Sequence, residues 1–187
     1  DGDQLLYLIM QFYIKEGYKF GGVVGTHMTN LAFEEKCKMQ SIPFARANVG
    51  DRYVSEELDR RKWILGGENS GHILVKNLHS TGDGIISALQ VLSYLVKNKK
   101  SLKSALTDIQ LYPQILINIP TENKVNLKSK TVKNAIKESE VIMKGKGRIL
   151  IRASGTQPLV RVMTEGPLRK DVLKAAKFLT EKIKEII

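Results

Sequence analysis

Residues 63–75 read WILGGENSGHILV: an apolar segment, a glycine-rich polar loop and a second apolar segment. Short apolar runs bounded by glycine are typical of buried strands, so two strands joined by a loop are predicted here. The loop carries Glu68, Asn69 and Ser70, and a carboxylate near a hydroxyl suits hydrogen bonding to adjacent hydroxyls of a sugar. His72 begins the second strand, as either a proton carrier or a structural residue in a partly buried position.

Strands and helices alternate on both sides of this loop. Such alternation indicates an α/β domain, and we predict a mixed-sheet α/β/α domain over residues 1–110. Thr29 or Asn30 is expected to cap its second helix and Asp83 its fourth. The predicted strands are residues 21–25, 42–47 and the two arms of 63–75, and the predicted helices are residues 4–16, 30–38, 55–62, 84–97 and 101–109.

The remaining residues, 111–187, have fewer elements and a different order. We predict a small α+β domain, whose ~75 residues are of marginal size for an independent core. The final helix places apolar residues on one stripe, as expected for a helix that packs on a sheet. The predicted strands are QILINI (114–119), RILIR (148–152) and LVRVM (159–163), and the predicted helices are residues 126–139 and 169–187.

The last two strands are joined within residues 152–161, RASGTQPLVR. Phosphate binding needs convergent N–H and O–H donors together with a guanidinium group. The turn would supply backbone amides and two hydroxyls in the manner of an anion-binding nest, and the strands would supply the guanidinium groups. The alternative is a polar hairpin with two exposed arginines. The candidate phosphate-binding residues are Arg152, Ser154, Gly155, Thr156 and Arg161.

Two acidic segments are weaker candidates. In VGDRYV (49–54), Asp51 and Arg52 follow a strand, and the alternative is a helix N-cap beside a solvated arginine. The DGD sequence at residues 1–3 is not expected to bind Mg²⁺, because two carboxylates at a terminus have no further ligand group nearby. Asp3 is instead expected to cap the first helix.

The 187 residues include 30 Lys and Arg against 19 Asp and Glu, a formal net charge of +11. Residues 1–112 hold 14 basic and 12 acidic residues, whereas residues 113–187 hold 16 and 7, so the excess lies in the second domain. Such an excess suggests an anionic partner: nucleic acid, a membrane surface or phosphorylated metabolites.

With 42% hydrophobic and 26% charged residues the chain is not disordered. No apolar run reaches the ~20 residues of a membrane span.

Cysteine and histidine usage excludes further sites. Cys37 is the single cysteine, which excludes intrachain disulfides and cysteine-cluster metal sites and favours a reducing, cytoplasmic compartment. His27 and His79 do not have metal-ligand spacing with His72 or with each other, so no metal site is predicted. The chain does not begin with Met, and we expect it to be part of a longer protein.

Taken in chain order, these segments resemble the C-terminal half of the bacterial phosphoglucosamine mutases, enzymes of the α-D-phosphohexomutase superfamily. The resemblance covers essentially the whole chain. It implies that residues 1–110 are the third, sugar-binding domain of a four-domain enzyme and that residues 111–187 are the fourth, phosphate-binding domain. The segments are DGDQLLYLI (1–9), SIPFARANVG (41–50), VGDRYVSEEL (49–58), GGENSGHI (66–73), TGDGIISALQVL (81–92) and RASGTQPLVRVMTEG (152–166).

The resemblance implies a phosphoryl-transfer isomerisation. In the family a phosphoserine of the first domain donates its phosphate to O1 of glucosamine 6-phosphate, and the bisphosphate turns and returns its 6-phosphate. The product, glucosamine 1-phosphate, is an amino-sugar precursor of peptidoglycan. The implied cofactors are Mg²⁺, bound by the second domain, and glucose or glucosamine 1,6-bisphosphate as activator. Because the serine and the metal loop are absent from this chain, it is expected to be inactive alone. The complete enzyme is expected to be a homodimer through its first domain.

By resemblance, Glu68 and Ser70 contact sugar hydroxyls, and Asn69 stands between them at a variable position. The RASGTQP segment matches the phosphate loop of the family, with Gln157 where the family usually has Glu. Losing that negative charge should make the loop slightly more attractive to phosphate. The implied catalytic residues are Asp51 and Arg52, which match a loop facing the transferring phosphate, and His72, which follows the sugar loop.

Other functions remain open at this point. Within the same superfamily the substrate could be a hexose phosphate, as in phosphomannomutase or phosphoglucomutase. A basic nucleic-acid-binding module is the alternative from another class. It has no RNA-binding signature, no zinc spacing and only 6% aromatic residues to support it. The expected partner is therefore a phosphosugar, with no nucleic acid and no membrane.

Overall fold

The protein is described by a computed structural model that covers residues 1–121, 126–154 and 157–186. The chain divides into two units, Asp1–Leu111 and Tyr112–Ile187. The first unit holds a mixed sheet with helices on both faces, and the described residues of the second form an antiparallel sheet with two helices. The predicted fold class is confirmed. Within the described part of the chain, no helix combines the length and apolarity needed to cross a membrane.

Four short strands form the sheet of the first unit, in the spatial order β2-β1-β3-β4. They are β1 (Val23–Thr26), β2 (Phe44–Ala47), β3 (Leu65–Gly67) and β4 (Ile73–Val75). Strand β1 is parallel to β2 and β3, and β4 is antiparallel to β3. The carboxyl ends of the three parallel strands therefore lie at one edge of the sheet, together with the amino end of β4. We call this the carboxyl edge.

Helices cover both faces of this sheet because successive strand residues point to opposite sides. Val23 and Leu65 belong to an apolar cluster with α1, α2 and α4, whereas Val24 and Leu74 belong to a second cluster with α3. The helices are α1 (Gly2–Lys15), α2 (Leu31–Met39), α3 (Asp51–Arg61), α4 (Gly84–Lys97) and α5 (Leu102–Ala105), the last followed by a 3-10 turn (Leu106–Asp108).

The start of α1 differs from the prediction. Asp1, not Asp3, is the N-cap: its carboxylate accepts hydrogen bonds from the backbone N–H groups of Asp3 and Gln4. The backbone nitrogen of Asp1 in turn donates to Oε1 of Gln4 at 2.7 Å, which completes a capping box. Asp3 lies inside the first turn, is buried, and accepts a hydrogen bond from the backbone N–H of Asn30 at 2.7 Å. The prediction was wrong because a better cap precedes Asp3 by two residues.

Other helix starts follow their caps. Asp83 caps α4 through the backbone N–H of Ile86 at 2.8 Å, as predicted. Of the two residues predicted as alternatives for α2, Asn30 and not Thr29 is the cap. Ser129 caps the sixth helix, which therefore begins at Lys130, four residues later than predicted. Cys37 is fully buried on α2, with its Sγ 3.6 Å from the sulfur of Met10.

The second unit is an antiparallel sheet in the order β5-β7-β6. Its strands are β5 (Gln114–Pro120), β6 (Arg148–Ala153) and β7 (Leu159–Glu165). Its helices are α6 (Lys130–Ile142) and α7 (Arg169–Lys184).

The two faces of this second sheet differ in character. One face buries Ile119, Val160 and Val162 against residues of α6 and α7, including Val132 and Leu179. The alternate residues of the same strands form the opposite face, on which Asn118, Arg161 and Arg152 stand side by side in register. Within the described residues, Arg152 and Arg161 therefore lie on the face of the sheet that carries no helix.

Candidate functional site

Several predicted site residues of the first unit meet at the carboxyl edge of its sheet. Glu68, Asn69 and Ser70 follow β3 directly, and His72 immediately precedes β4. Asp51 and Arg52 are the first residues of α3, which follows β2. In open α/β sheets the crevice outside the carboxyl ends of the strands is where ligands bind. The topology thus explains why loops distant in sequence form one candidate site.

The sugar loop, defined here as Glu68–Gly71, is a tight turn. The backbone N–H of Gly71 donates to the carbonyl of Glu68 at 3.0 Å, and the N–H of Glu68 donates to the carbonyl of His72 at 3.0 Å. The Glu68 side chain is anchored as well, because its Oε1 accepts a hydrogen bond from the backbone N–H of Gly50 at 2.9 Å. The carboxylate is therefore held in one direction, while Ser70 is exposed to solvent.

Asp51 and His72 are brought together, although 21 positions separate them in sequence. The distance from Nε2 of His72 to Oδ2 of Asp51 is 3.6 Å, and Nε2 is buried with no hydrogen-bond partner among the described residues. Gly82 packs against the ring so closely that a Cβ at that position would lie 2.3 Å from Nε2. Asp51 is the first helical residue and Gly50 is the N-cap, so the interpretation of Asp51 as a cap was wrong.

Arg52 has a partner on its own helix. Its Nε donates to Oε1 of Glu56 at 2.7 Å, and its side chain is 82% exposed. The hydrogen bond that Arg52 donates to Glu56 raises the pKa of the Arg52 guanidinium. This geometry agrees with the solvated arginine that the sequence left as an alternative.

Sequence reasoning missed Arg46, which organises the loop after β1. Its Nη1 donates to the carbonyls of Thr26 and Thr29, both at 2.8 Å, and its Nη2 pairs with Glu34 at 2.6 Å. Arg46 also lines a cleft of about 350 Å³ at the carboxyl edge, with His27, Asn48 and Tyr53 among the other lining residues. The sequence feature that could have identified Arg46 is its position as a charged residue within an otherwise apolar strand.

In the second unit, Arg152 of β6 pairs in register with Arg161 of β7. The Nε atoms of both guanidinium groups are buried, and neither has a hydrogen-bond partner within the described residues. Like charges directly opposite each other on a sheet are destabilising, and a buried unpaired donor costs further free energy. An anion bound here would offset both costs.

Ser154 begins the turn between these strands. Its backbone N–H donates to the carbonyl of Leu159 at 2.9 Å, and its Oγ accepts from the backbone N–H of Gln157 at 3.3 Å. Gly155 and Thr156, the other predicted members of the phosphate loop, lie outside the described residues.

No set of metal ligands is found within residues 1–121, 126–154 and 157–186. These residues contain no group of three or more His, Cys, Asp or Glu side chains that could hold a metal ion. The donor chemistry of the described chain therefore does not fit a Mg²⁺ site.

Two relatives align with nearly the entire chain. A phosphoglucosamine mutase of Idiomarina loihiensis is 50% identical over 167 residues, which are 89% of this chain and 37% of the relative. A phosphoglucosamine mutase of Proteus mirabilis is 46% identical over 187 residues, which are 100% of this chain and 42% of the relative. The chain thus spans about two fifths of the length of these curated relatives.

The fold is also that of solved structures. A structure of Aspergillus fumigatus N-acetylphosphoglucosamine mutase matches with a TM-score of 0.80 and 19% identity, over 100% of this chain and 43% of that chain. The family model for phosphoglucomutase/phosphomannomutase alpha/beta/alpha domain III matches residues 1–112, and the model for the C-terminal domain of the same family matches residues 116–182. The chain therefore belongs to the phosphoglucomutase/phosphomannomutase family, the phosphohexomutases, and comprises its domain III and its C-terminal domain.

Proposed function

We propose that this chain is the substrate-binding half of a phosphoglucosamine mutase, which interconverts glucosamine 6-phosphate and glucosamine 1-phosphate. The relatives that carry this name are 45–50% identical to the chain, and they support the choice of an amino sugar over a hexose. The same assignment includes a cytoplasmic location and a homodimer for the complete enzyme.

The proposal rests mainly on Arg152 and Arg161, which lie directly opposite each other on neighbouring strands. Both Nε donors are buried and lack a hydrogen-bond partner in the described chain, on a face without helices. A phosphate group accepts such donors and neutralises the adjacent positive charges, and arginine provides forked donors suited to it. We assign the non-reacting phosphate of the substrate to these two residues, with Ser154 and the rest of the phosphate loop.

The sugar loop would fix the hexosamine ring. Glu68 is oriented by Gly50, so its carboxylate does not need to be ordered when a sugar hydroxyl binds. Ser70 adds an exposed hydroxyl on the same turn, and Asn69 lies between the two. A preorganised acceptor loses less conformational entropy on binding than a mobile one. The turn therefore suits repeated binding of the sugar in two orientations.

In the reaction, the phosphoryl group passes from a phosphoserine to O1 of glucosamine 6-phosphate, which gives glucosamine 1,6-bisphosphate and free serine. The bisphosphate reorients, and its 6-phosphoryl group returns to the serine to leave glucosamine 1-phosphate. Phosphoryl transfer relies mainly on positioning and charge stabilisation. This chain would position both ends of the intermediate, and the Asp51–His72 pair would receive and return the hydroxyl proton. Because the described residues do not fit Mg²⁺, no step is assigned through it.

Calorimetric titration of the purified chain with glucosamine 6-phosphate tests the proposal. We expect weak binding that Arg152→Ala reduces by at least tenfold, since hydrogen bonds to charged groups contribute about 1.5–3 kcal/mol. Arg169→Ala is the matched control, because Arg169 is exposed at the start of α7 in the same unit. Unchanged affinity in Arg152→Ala would contradict the phosphate assignment. Tighter binding of mannose 6-phosphate or glucose 6-phosphate would favour a hexose mutase.

A turnover assay tests whether this chain alone lacks mutase activity. The chain, supplied with glucosamine 6-phosphate, Mg²⁺ and glucose 1,6-bisphosphate, is expected to form no glucosamine 1-phosphate, whereas a complete phosphoglucosamine mutase forms it under the same conditions. Product from the chain alone would show that a nucleophile within these residues had been overlooked.

A further inference from the structure

The DGD sequence at residues 1–3 does not act in the proposed mechanism, yet it lies directly against the sugar loop. The backbone N–H of Gly2 donates to the carbonyl of Asn69 at 2.9 Å. The Cα of Gly2 approaches the loop so closely that a Cβ there would lie 2.1 Å from the carbonyl oxygen of Glu68 and 2.5 Å from the backbone nitrogen of Gly71. Both neighbours are backbone atoms, which cannot rotate away as a side chain can.

The first turn of α1 is held firmly behind this contact. Asp1 closes the capping box, and Asp3 accepts the backbone N–H of Asn30 at the start of α2. One turn further on, Leu6 and Ile9 are fully buried in the main apolar cluster. The helix therefore cannot retreat from the loop without breaking caps and core contacts, and any added volume at Gly2 must move the loop instead.

The loop in turn carries Glu68, whose carboxylate reaches the backbone N–H of Gly50 at 2.9 Å. A hydrogen bond of this length tolerates shifts of only a few tenths of an ångström before it weakens. We infer that Gly2 is a positioning residue for sugar binding: the bare backbone of the first turn of α1 sets the position of Glu68–Ser70. The inference rests on the proposed function, because it concerns the loop assigned to the sugar.

The chain contains its own matched control. Gly84 is also the first residue of a helix and also follows a capping aspartate, Asp83. A Cβ at Gly84 would meet nothing within 4 Å. Gly2→Ala and Gly84→Ala thus make the same chemical change at equivalent helix positions, and only the first enters a backbone contact.

The experiment titrates the wild-type chain and both variants with glucosamine 6-phosphate and, separately, with inorganic phosphate. We expect Gly2→Ala to weaken glucosamine 6-phosphate binding by about tenfold or more, through loss of oriented hydrogen bonds to the sugar. Its affinity for inorganic phosphate, which uses the arginines of the second unit, should stay within about twofold of the wild type. Gly84→Ala should change neither affinity. Loss of both affinities in a folded Gly2→Ala variant would overturn the inference, because a shift confined to the sugar loop leaves phosphate binding intact.

Wild-type affinity for glucosamine 6-phosphate in the Gly2→Ala variant would overturn the inference. A wild-type chain that binds glucosamine 6-phosphate no better than inorganic phosphate would instead overturn the sugar loop of the proposed function. If Gly2→Ala does not fold, NMR of the wild type decides. The Gly2 amide should shift, and exchange more slowly with solvent, on addition of glucosamine 6-phosphate but not of inorganic phosphate. Shifts at Glu68 without any at Gly2 would count against the inference.

Discussion

Arg152 and Arg161 face each other as directly opposed residues of the antiparallel β6–β7 ladder. Their side chains point to the same face of the sheet, and both Nε atoms are buried without a hydrogen-bond partner in the described chain. Two like charges in this arrangement lower the stability of the ligand-free sheet. The same arrangement favours an anion, so binding and stability are expected to oppose each other at this pair.

Arg161→Gln should therefore have opposite effects with and without ligand. In phosphate-free buffer at low ionic strength its Tm is expected to equal or exceed that of the wild type, because an opposed like charge costs about 0.2–1 kcal/mol. With inorganic phosphate at 100 times its Kd, the wild type gains about 2.7 kcal/mol and the variant much less. Scanning calorimetry measures the Tm of the wild type and of Arg161→Gln in the absence and in the presence of phosphate. Lys174→Gln, on the exposed side of α7, removes the same charge and should not alter the response to phosphate.

Glu68 should tolerate an amide better than truncation. In Glu68→Gln the side-chain oxygen still accepts the N–H of Gly50, so we expect only a several-fold loss of glucosamine 6-phosphate affinity. Glu68→Ala removes both the anchor and the acceptor and should cost at least tenfold. Calorimetry distinguishes the two, with Glu140→Ala on α6 as control. Equal losses in both variants would mean that the negative charge, not the oriented acceptor, determines affinity.

Glu165 should be among the most destabilising positions to truncate. It is fully buried, its Oε2 accepts from Nε of Arg148 at 2.6 Å, and its Oε1 accepts from the amide of Gln114 at 3.2 Å. Removing one partner of a buried pair leaves the other charge uncompensated, which costs about 3–5 kcal/mol. Urea denaturation of Glu165→Ala measures the loss. Glu185→Ala, which breaks the exposed pair with Lys182, should have a much smaller effect on the free energy of unfolding.

Glu57 should add a small, acid-sensitive contribution to stability. Hydrogen bonds from Arg60 and then Arg61 lower the pKa of its carboxyl from 4.5 to about 2. A carboxyl whose pKa is lower in the folded state stabilises the fold fully above its unfolded value and loses this effect as pH falls from 4.5 toward 2. The pair is near the surface, so we expect under about 1 kcal/mol.

The measurement for Glu57 is the difference in unfolding free energy between the wild type and Glu57→Gln. It should be present at pH 7 and shrink between pH 4.5 and 2. It should also fall in 1 M NaCl, because the Debye length is about 3 Å at that concentration and the attraction between exposed charges is screened. A difference that grows on acidification would have the wrong sign for this ion pair.

Elements determined by nearby residues could be predicted from the sequence. The α4 helix was predicted at residues 84–97 and is found there, because Asp83 supplies a local cap and the apolar residues that follow have helical spacing. Where two residues could both cap the same helix, the local sequence pattern did not decide between them. Asp1 and Asp3 are both good caps, and only the return contact of Gln4 favours Asp1.

The site was harder to predict because its contacts are non-local. The sequence indicated that Glu68 lies on a loop and that Arg152 and Arg161 flank a turn. It did not indicate that Gly50 donates to Glu68, since that contact depends on the parallel arrangement of β1, β2 and β3. The excess positive charge of the second unit was also a poor guide to the position of the site. Most lysines of that unit lie on the exposed surfaces of α6 and α7.

The burial of Cys37 has a practical consequence. Burial raises the pKa of its thiol to about 12, so at pH 8 only about one molecule in ten thousand carries a thiolate there. A cysteine introduced at exposed Thr81, next to the glycine that packs on His72, would be the single position to react with maleimides. A fluorophore attached at that position would signal occupancy of the sugar loop in real time, with the native cysteine left in place.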